Sequence, residues 1–472
     1  MNQVATPVLA KRTKRRPLFW GACTFLLAVL TVLGWFGYRW LVDDWALQEA
    51  IGEADRLDPG WRLAELDAKR AEVPDEQNGA LQVMAAAQLI PLRWPQTNFP
   101  ASLFNEVIER LPPETPLNQP RLDNLRAAMS QASQAIGPAL QVAKYPTGRH
   151  AITWSRDGIG TLLPHAQSAR NVADLLTMHA LLRAHEDDVE GALVACRACL
   201  NAGRSLGDEP TGMSQLVRLG CRGLALHSLE RTLAHGEARG STLSGLQQLL
   251  EDEADQPVLL TMARADRAIT HQGLEAIKSL EFNRRSYGLA QPFGIPDSAM
   301  NWVDAAKARS CQATLLRFAN QLVEIAKLPP NEQRTRFEAL PEPNVDKPAI
   351  FRIWGDYSPM NNARTYWNSE ALLKCAIAAL AAERFRQAKG RWPEKLQELV
   401  PNYLRSVPTD PFDGKEIRFR QLSDGIVIYT LGPDGRDNGG TLSRLHVPPP
   451  ETDIGFRLWN PAQRQPPANK SH

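Results

Sequence analysis

The fold is decided by residues 168–210, SARNVADLLTMHALLRAHEDDVEGALVACRACLNAGRSLGDEP. Apolar residues recur along both halves at steps of three and four, which is the spacing of one face of an α-helix. These faces contain Val172, Leu175, Leu176, His179 and Leu182 in the first half, and Leu193, Cys196, Leu200 and Gly203 in the second. The acidic run between the halves indicates a short turn. The stretch therefore predicts two consecutive helices that pack through these faces.

The helical pattern extends beyond this pair, over residues 121–281. Small residues at Ala180, Ala195, Gly220 and Gly223 predict helices that approach each other closely. The pair joined by HEDDVEGAL resembles a tetratricopeptide-type hairpin, although the period along the chain is irregular. We therefore expect a mainly α protein whose body is an α-helical array with tetratricopeptide-like hairpins.

An uncharged run, LFWGACTFLLAVLTVLGWFGY, occupies residues 18–38. As an α-helix it would be about 30 Å long, which is the thickness of a bilayer core. A basic cluster between Lys11 and Arg16 precedes it, and this placement predicts a cytoplasmic N-terminus. We expect a single pass through the inner (cytoplasmic) membrane at residues 18–40, with the bulk of the chain on the extracytoplasmic (periplasmic) side.

The alternative for this segment is a cleavable signal peptide, which needs small residues in an A-x-A pattern at its cleavage site. The segment ends instead in GWFGYRWL, residues 34–41, which is rich in aromatic rings. We therefore favour an uncleaved signal anchor, and the lipid bilayer is the partner expected for residues 18–40.

Composition and charge exclude some classes of partner. Hydrophobic residues make up 43% of the 472 residues, charged residues 22%, and the net charge is +2. This balance provides no electrostatic basis for binding nucleic acid, so no such partner is expected. The six cysteines do not indicate a disulfide framework. Cys196 and Cys199 lie within a predicted helix rather than at its N-terminus, which favours core packing over redox chemistry.

Standard catalytic motifs are absent from the sequence, including the P-loop, G-x-S-x-G, H-E-x-x-H and paired C-x-x-C patterns. No catalytic residues are therefore assigned, and we expect a membrane-anchored interaction or scaffold protein with an unidentified protein partner in the cell envelope. The alternative is an extracytoplasmic enzyme with a dispersed site around residues 157–170, in which Asp157, His165 and Arg170 converge.

The pattern changes near the C-terminus. A helix is predicted from Ser369, a common N-cap residue, to Gly390, a common residue after a helix end. A second, short helix is predicted near Pro393. Strands are predicted at the alternating apolar runs 416–421, 425–430 and 453–459. The first two strands should place Ile417 and Phe419 on the helix face that contains Leu373, Ile377, Leu380 and Ala381.

Four motifs of this region occur in the order known from the major pseudopilin, protein G of the type II secretion system. They are Gly390-Arg391-Trp392-Pro393, Asp410-Pro411-Phe412-Asp413-Gly414, Leu431-Gly432-Pro433-Asp434-Gly435 and Asp453-Ile454. On these motifs the segment resembles the globular part of that family, which implies a small α+β domain with antiparallel strands. The layout of the whole chain is similar to that of single-span bacterial membrane proteins, and this similarity implies no activity.

The pseudopilin resemblance also implies a structural Ca²⁺ in the loop before the last strand. Carried over by position, its ligands would be the carbonyl of Leu431 and the carboxylates of Asp434 and Asp453, with Asp437 as an additional candidate. Carboxylate and carbonyl oxygens are the ligands that Ca²⁺ prefers. The same loop does not fit an EF-hand, because Arg436 and Leu445 occupy ligand positions. It does not fit a phosphate cradle either, because no helix follows it.

These observations predict six segments. They are a cytoplasmic basic tip at 1–17, a transmembrane anchor at 18–40, an extracytoplasmic helical domain at 41–327, a Pro-rich linker at 328–365, a pseudopilin-like α+β domain at 366–459 and a disordered tail at 460–472.

Overall fold

The computed structural model describes residues 16–95, 111–282, 287, 289, 296–353, 359–445 and 448–464. Helices dominate these residues, and three antiparallel strands form one small sheet near the C-terminus. The expectation of a mainly α fold with a small antiparallel sheet is therefore confirmed. The predicted cytoplasmic tip lies outside the described residues up to residue 15.

The helices are α1 Arg16–Leu57, α2 Leu63–Ala68, α3 Gly79–Gln88, α4 Gln119–Gln131, α5 Ser133–Gln141, α6 Pro164–His185, α7 Val189–Arg204, α8 Gly212–His235, α9 Gly240–Ala254, α10 Val258–Lys278, α11 Asp297–Ala326, α12 Pro330–Ala339, α13 Ala349–Ile353 and α14 Pro359–Lys389. The strands are β1 Arg418–Leu422, β2 Gly425–Thr430 and β3 Ile454–Trp459.

Helix α1 continues from the apolar run into the folded body without a break. Residues 20–42 are exposed, whereas Leu47, Ala50 and Ala54 are buried in a cluster that includes residues of α11. Among the described residues, one helical segment, Trp20–Leu57, is long and apolar enough to cross a membrane, with a mean hydropathy of 1.7 in its most apolar part. This segment is compatible with single-pass membrane anchoring.

The stretch from 168 to 210 forms the predicted helix pair. Helices α6 and α7 are joined by a tight turn in which Asp187 has a left-handed φ of 64°. The expected faces are buried, except that Leu182 is half-buried at the edge of the core, and α8 packs against both helices. A Cβ at Gly203 would lie 2.8 Å from the Cβ of Cys221, so this glycine permits the close approach of α7 and α8. Gly223, expected to do the same, has no atom within 4 Å of its Cβ position.

The C-terminal helix and sheet agree with the predicted elements, with two differences. Helix α14 begins at Pro359 rather than Ser369, because Ala363 and Trp367 are buried in a cluster with residues of α10 and α12. The predicted helix after Pro393 is a 3₁₀ turn at Leu396–Leu399. As expected, α14 ends just before Gly390, whose φ of +73° is favourable for glycine.

The sheet has the order β1-β2-β3, so β2 is central and buried along its whole length. In the register of the ladders, Ile428 lies opposite Phe419 on β1 and Phe456 on β3. Ile417, Ile426 and Ile428 share one core with the expected positions on α14. The helix therefore covers the apolar face that a small sheet cannot bury alone.

The predicted helical and α+β domains share one hydrophobic core, because α14 and the sheet pack in the same cluster as α3 to α9. The predicted linker at 328–365 includes α12 and α13, and Phe337 of α12 packs edge-on against Trp367, with ring centroids 5.5 Å apart. In the predicted tail, Arg464 is buried and lies 2.7 Å from Glu383. Residues 465–472 lie outside the described residues, and the domain boundaries stay predictions.

Candidate functional site: an apolar cavity beside helix α10

The three residues of the predicted dispersed catalytic site do not contact one another in the described structure. Each contacts a partner of its own: Asp157 accepts hydrogen bonds from Ser155 Oγ at 2.7 Å and Gly160 N at 2.9 Å, His165 lies 2.9 Å from Glu209, and Arg170 pairs with Asp174 at 3.1 Å. Asp157 belongs to a loop and the other two lie on α6, and no described hydrogen bond or ion pair joins the three, so their convergence in a catalytic site stays a prediction.

A cavity of about 790 Å³ lies beside this segment. Its walls come from the loop at 154–163, the beginning of α8, helices α10 and α11, the segment at 342–351 and the beginning of α14. Most lining side chains are apolar, among them Ile159, Leu163, Leu259, Met262, Phe318 and Leu322. This size and this lining are typical of a site that binds a small molecule.

Asp157 positions the loop that forms one wall of the cavity. Its carboxylate binds Ser155, Gly160 and the hydroxyl of Tyr287, which ties the loop into a compact turn. On α10, the Cβ position of Gly273 lies 2.3 Å from Cδ1 of Ile159, so only glycine admits the loop this close. The loop of the predicted dispersed site thus forms one wall of the cavity, and Asp157 braces this loop.

One acidic side chain in the wall, Asp266 of α10, has no cationic partner among the residues that the structure describes. Its described hydrogen bond comes from Nδ2 of Asn362, at 3.4 Å. Among the described residues, no basic side chain lies within salt-bridge distance of it, and its neighbour Arg267 binds Asp58 instead. Burial raises the pKa of Asp266 to about 7. The carboxyl group therefore changes charge near neutral pH, inside a mainly apolar cavity.

Sequence analysis missed Asp266, although a signal was present. Met262, Asp266 and Ile269 are spaced by four and three residues, so the aspartate falls on an apolar helix face. The flanking Arg264 and Arg267 predict local ion pairs with Asp266, and an ion-paired aspartate does not indicate a functional site. The structure shows both arginines directed to Asp58, which lies beyond the end of α1.

The mouth of the cavity carries exposed apolar side chains. Leu162 in the loop is 84% exposed, and Met213 at the beginning of α8 is 50% exposed. Both residues belong to the cavity lining. The opening therefore presents an apolar rim to whatever enters.

A second buried carboxylate, Glu253 on α9, has the opposite surroundings. It receives hydrogen bonds from three buried guanidinium groups, with distances of 2.7 Å from Arg204, 2.5 Å from Arg218 and 2.6 Å from Arg222. Burial alone would raise the pKa of Glu253, but the charges of Arg218 and Arg222 hold it well below its usual range. Every oxygen of this carboxylate is occupied, so the cluster stabilises the contact between α7, α8 and α9.

The cysteine pair lies in the core, as expected. Cys196 and Cys199 are buried, and burial raises the pKa of each thiol to about 12. A thiol with such a pKa is not a nucleophile at neutral pH.

The predicted calcium ligands lie on one loop, where protein donors already bind them. Asp453 is buried and accepts from Gly440 N at 2.8 Å, and Asp434 accepts from the backbone amides of Arg436 and Glu451, both at 3.0 Å. The amide of Leu431 donates to Asp410.

Asp437 lies 3.3 Å from the guanidinium of Arg418. The same guanidinium binds Asp410 and Asp413, each at 2.6 Å. Within the part of the chain that the structure describes, no three acidic, histidine or cysteine side chains are arranged to hold a metal. Calcium in this loop stays a prediction.

Comparisons with protein-family models, curated proteins and solved structures found no match for this chain. The pseudopilin and tetratricopeptide resemblances therefore stay predictions as well.

Proposed function

We propose that this chain is a membrane-anchored extracytoplasmic binding protein, in which one span holds the helical body at the inner membrane and the body binds its partner. The observation that carries this proposal is the apolar cavity with its apolar mouth. The cavity is set in a body that is continuous with the only described helix able to span a membrane.

The packing of α1 and α11 supports a body that lies close to the bilayer. Contacts pair Glu49 with Arg317 and the carbonyl of Leu57 with Lys327, so the two helices run parallel. The beginning of α11 therefore points toward the span. Trp302 and Val303 near that end are 67% and 45% exposed.

The lining of the cavity is suited to binding a ligand. Apolar side chains with a few polar groups are suited to orienting a ligand. The protein partner in the cell envelope that the sequence suggests remains part of this proposal, for the outer faces of the helical array.

Photo-crosslinking in intact cells tests the proposal. A benzoylphenylalanine residue in place of Leu162 would sit at the mouth of the cavity, and we expect a discrete adduct that intact-mass measurement of the purified chain detects. Val194 on the outer face of α7 is 43% exposed and outside the cavity lining, so it provides the matched control. Absence of an adduct at position 162, or the same adducts at both positions, would refute binding at the cavity.

A further inference from the structure

The surroundings of Asp266 point to the chemical class of the occupant. Arg264 and Arg267 flank this residue on α10, yet both guanidinium groups bind Asp58, with 2.6 Å between Arg264 Nη2 and Asp58 Oδ1. Within the described residues, the fold therefore compensates the charge of Asp58 and leaves the cavity-lining carboxylate with one weak amide contact from Asn362.

We propose that the cavity binds an apolar small molecule that carries a single protonated amine, and that this ammonium group pairs with the carboxylate of Asp266. This inference rests on the proposed function and names the ligand class of the same site. The volume of about 790 Å³ lies within the range of sites for drug-sized ligands, so an apolar body of that size fits.

A cation accounts for the polar part of the site better than the alternatives. A charged carboxylate in apolar surroundings is unfavourable unless an opposite charge approaches it, and an ammonium group supplies both charge and hydrogen-bond donors. An anionic ligand would meet a like charge and be repelled. A neutral alcohol can donate one hydrogen bond but leaves the charge uncompensated.

The remaining charged residues of the wall do not alter this choice. They are Arg267, which is bound to Asp58, and Glu342 and Lys347. Lys347 is not within salt-bridge distance of Asp266 in the described structure. Its charge and that of Glu342 are opposite in sign, so the wall around the aspartate has no net charge that would favour an anion.

Three matched probes test the inference on the full chain in lipid nanodiscs. 4-Phenylbutylamine, 4-phenylbutanol and 4-phenylbutyrate share one apolar body and differ in the terminal group. In calorimetric titrations at pH 8, we expect the amine to bind roughly tenfold more tightly than the alcohol, since charged hydrogen bonds are stronger than neutral ones. The carboxylate should bind most weakly.

Two variants and one control locate the effect. Asp266→Asn should remove the preference for the amine while it leaves alcohol binding intact. Leu259→Trp places a larger side chain in the cavity wall and should weaken all three probes. Asp255→Asn changes an exposed carboxylate outside the cavity and should change nothing.

The outcomes distinguish a failure of the proposed ligand class from a failure of the proposed function. Equal binding of amine and alcohol, or unchanged amine preference in Asp266→Asn, would overturn the ligand class but leave binding at the cavity intact. If no probe binds while crosslinking at position 162 yields an adduct, the ligand class again fails and the proposed function survives. If no probe binds and no adduct forms, both proposals fail.

Discussion

Two carboxylates on consecutive helices have opposite surroundings: Glu253 of α9 is fully buried, and Asp266 of α10 is half-buried in the wall of the cavity. Glu253 is enclosed by three guanidinium groups, whereas Asp266 receives one long amide hydrogen bond at 3.4 Å. Burial acts on both, yet the pKa of Glu253 falls and that of Asp266 rises to about 7. The difference indicates that Glu253 is part of the framework, while Asp266 is available to a ligand.

The energetic consequences of the two arrangements differ in sign. A buried carboxylate with full compensation stabilises the folded state, and its removal leaves guanidinium groups buried without a counter-charge. A buried carboxylate without compensation destabilises the folded state whenever it is ionised. Removal of charge should therefore harm the protein at one position and stabilise it at the other.

The largest effect is expected for Glu253→Gln, which keeps the shape of the side chain and removes its charge. Three buried guanidinium groups would lose their counter-ion, and we expect the free energy of unfolding to fall by about 3–5 kcal/mol. Urea titration of the full chain at pH 7, followed by circular dichroism, measures this change. A loss below about 1 kcal/mol, the scale of an exposed ion pair, would refute the framework role.

The pH dependence of the wild type provides a second readout for Glu253. Because its folded-state pKa is depressed, its contribution to stability is complete above the ordinary glutamate pKa, near 4.5, and is lost as the pH falls below that value. We expect the stability difference between wild type and Glu253→Gln to shrink as the pH is lowered from 6 to 3.

A smaller effect of the opposite sign is expected for Asp266→Asn. Since the folded-state pKa is raised from 3.8 to about 7, ionisation destabilises the wild type increasingly between pH 4 and 7, and fully above pH 7. We expect the variant to be more stable than the wild type by about 2–4 kcal/mol at pH 8, with little difference at pH 4. Urea titrations at both pH values measure this, and a variant less stable than the wild type at pH 8 would contradict an uncompensated carboxylate.

Local periodicity accounts for the parts of the fold that the sequence predicts. The faces of α6 and α7 and the alternation in β2 each arise from neighbouring residues, and the structure places these side chains in the core. The apolar segment of α1 could be recognised for the same reason, because an uncharged run is visible without tertiary information. Helix α14 begins before Ser369 because Trp367 packs against Phe337, a contact that periodicity does not reveal.

The candidate site could not be predicted in the same way, because it depends on contacts between distant segments. In the sequence, Asp266 lies between Arg264 and Arg267, and this pattern predicts a surface residue that forms ion pairs. Its isolation becomes visible only when Asp58 is seen to bind both arginines. Likewise, Asp157 lies in a conspicuous loop, but its bonds to Ser155 and Gly160 show that it braces the cavity wall.

A third group of carboxylates lies around Arg418 in the C-terminal loop. Its charge is compensated less completely than that of Glu253 and more completely than that of Asp266. One guanidinium is shared by Asp410, Asp413 and Asp437, so the negative charges outnumber it. Burial raises the pKa of Asp453 in the same loop, and the nearby charges of Asp437 and Asp434 act in the same direction. Excess negative charge of this kind is what an additional cation would relieve.

The smallest expected effect concerns this loop and tests the calcium proposal. Binding of Ca²⁺ to the folded state must raise the melting temperature, and we expect an increase of a few degrees for the full chain in millimolar calcium relative to chelator. Asp434→Asn should abolish the increase, while Asp255→Asn, which changes an exposed carboxylate just after the end of α9, should preserve it. An identical melting temperature with calcium and with chelator would mean that backbone amides and Arg418 alone compensate these carboxylates. The loop would then belong with Glu253, as a group of carboxylates that protein donors neutralise.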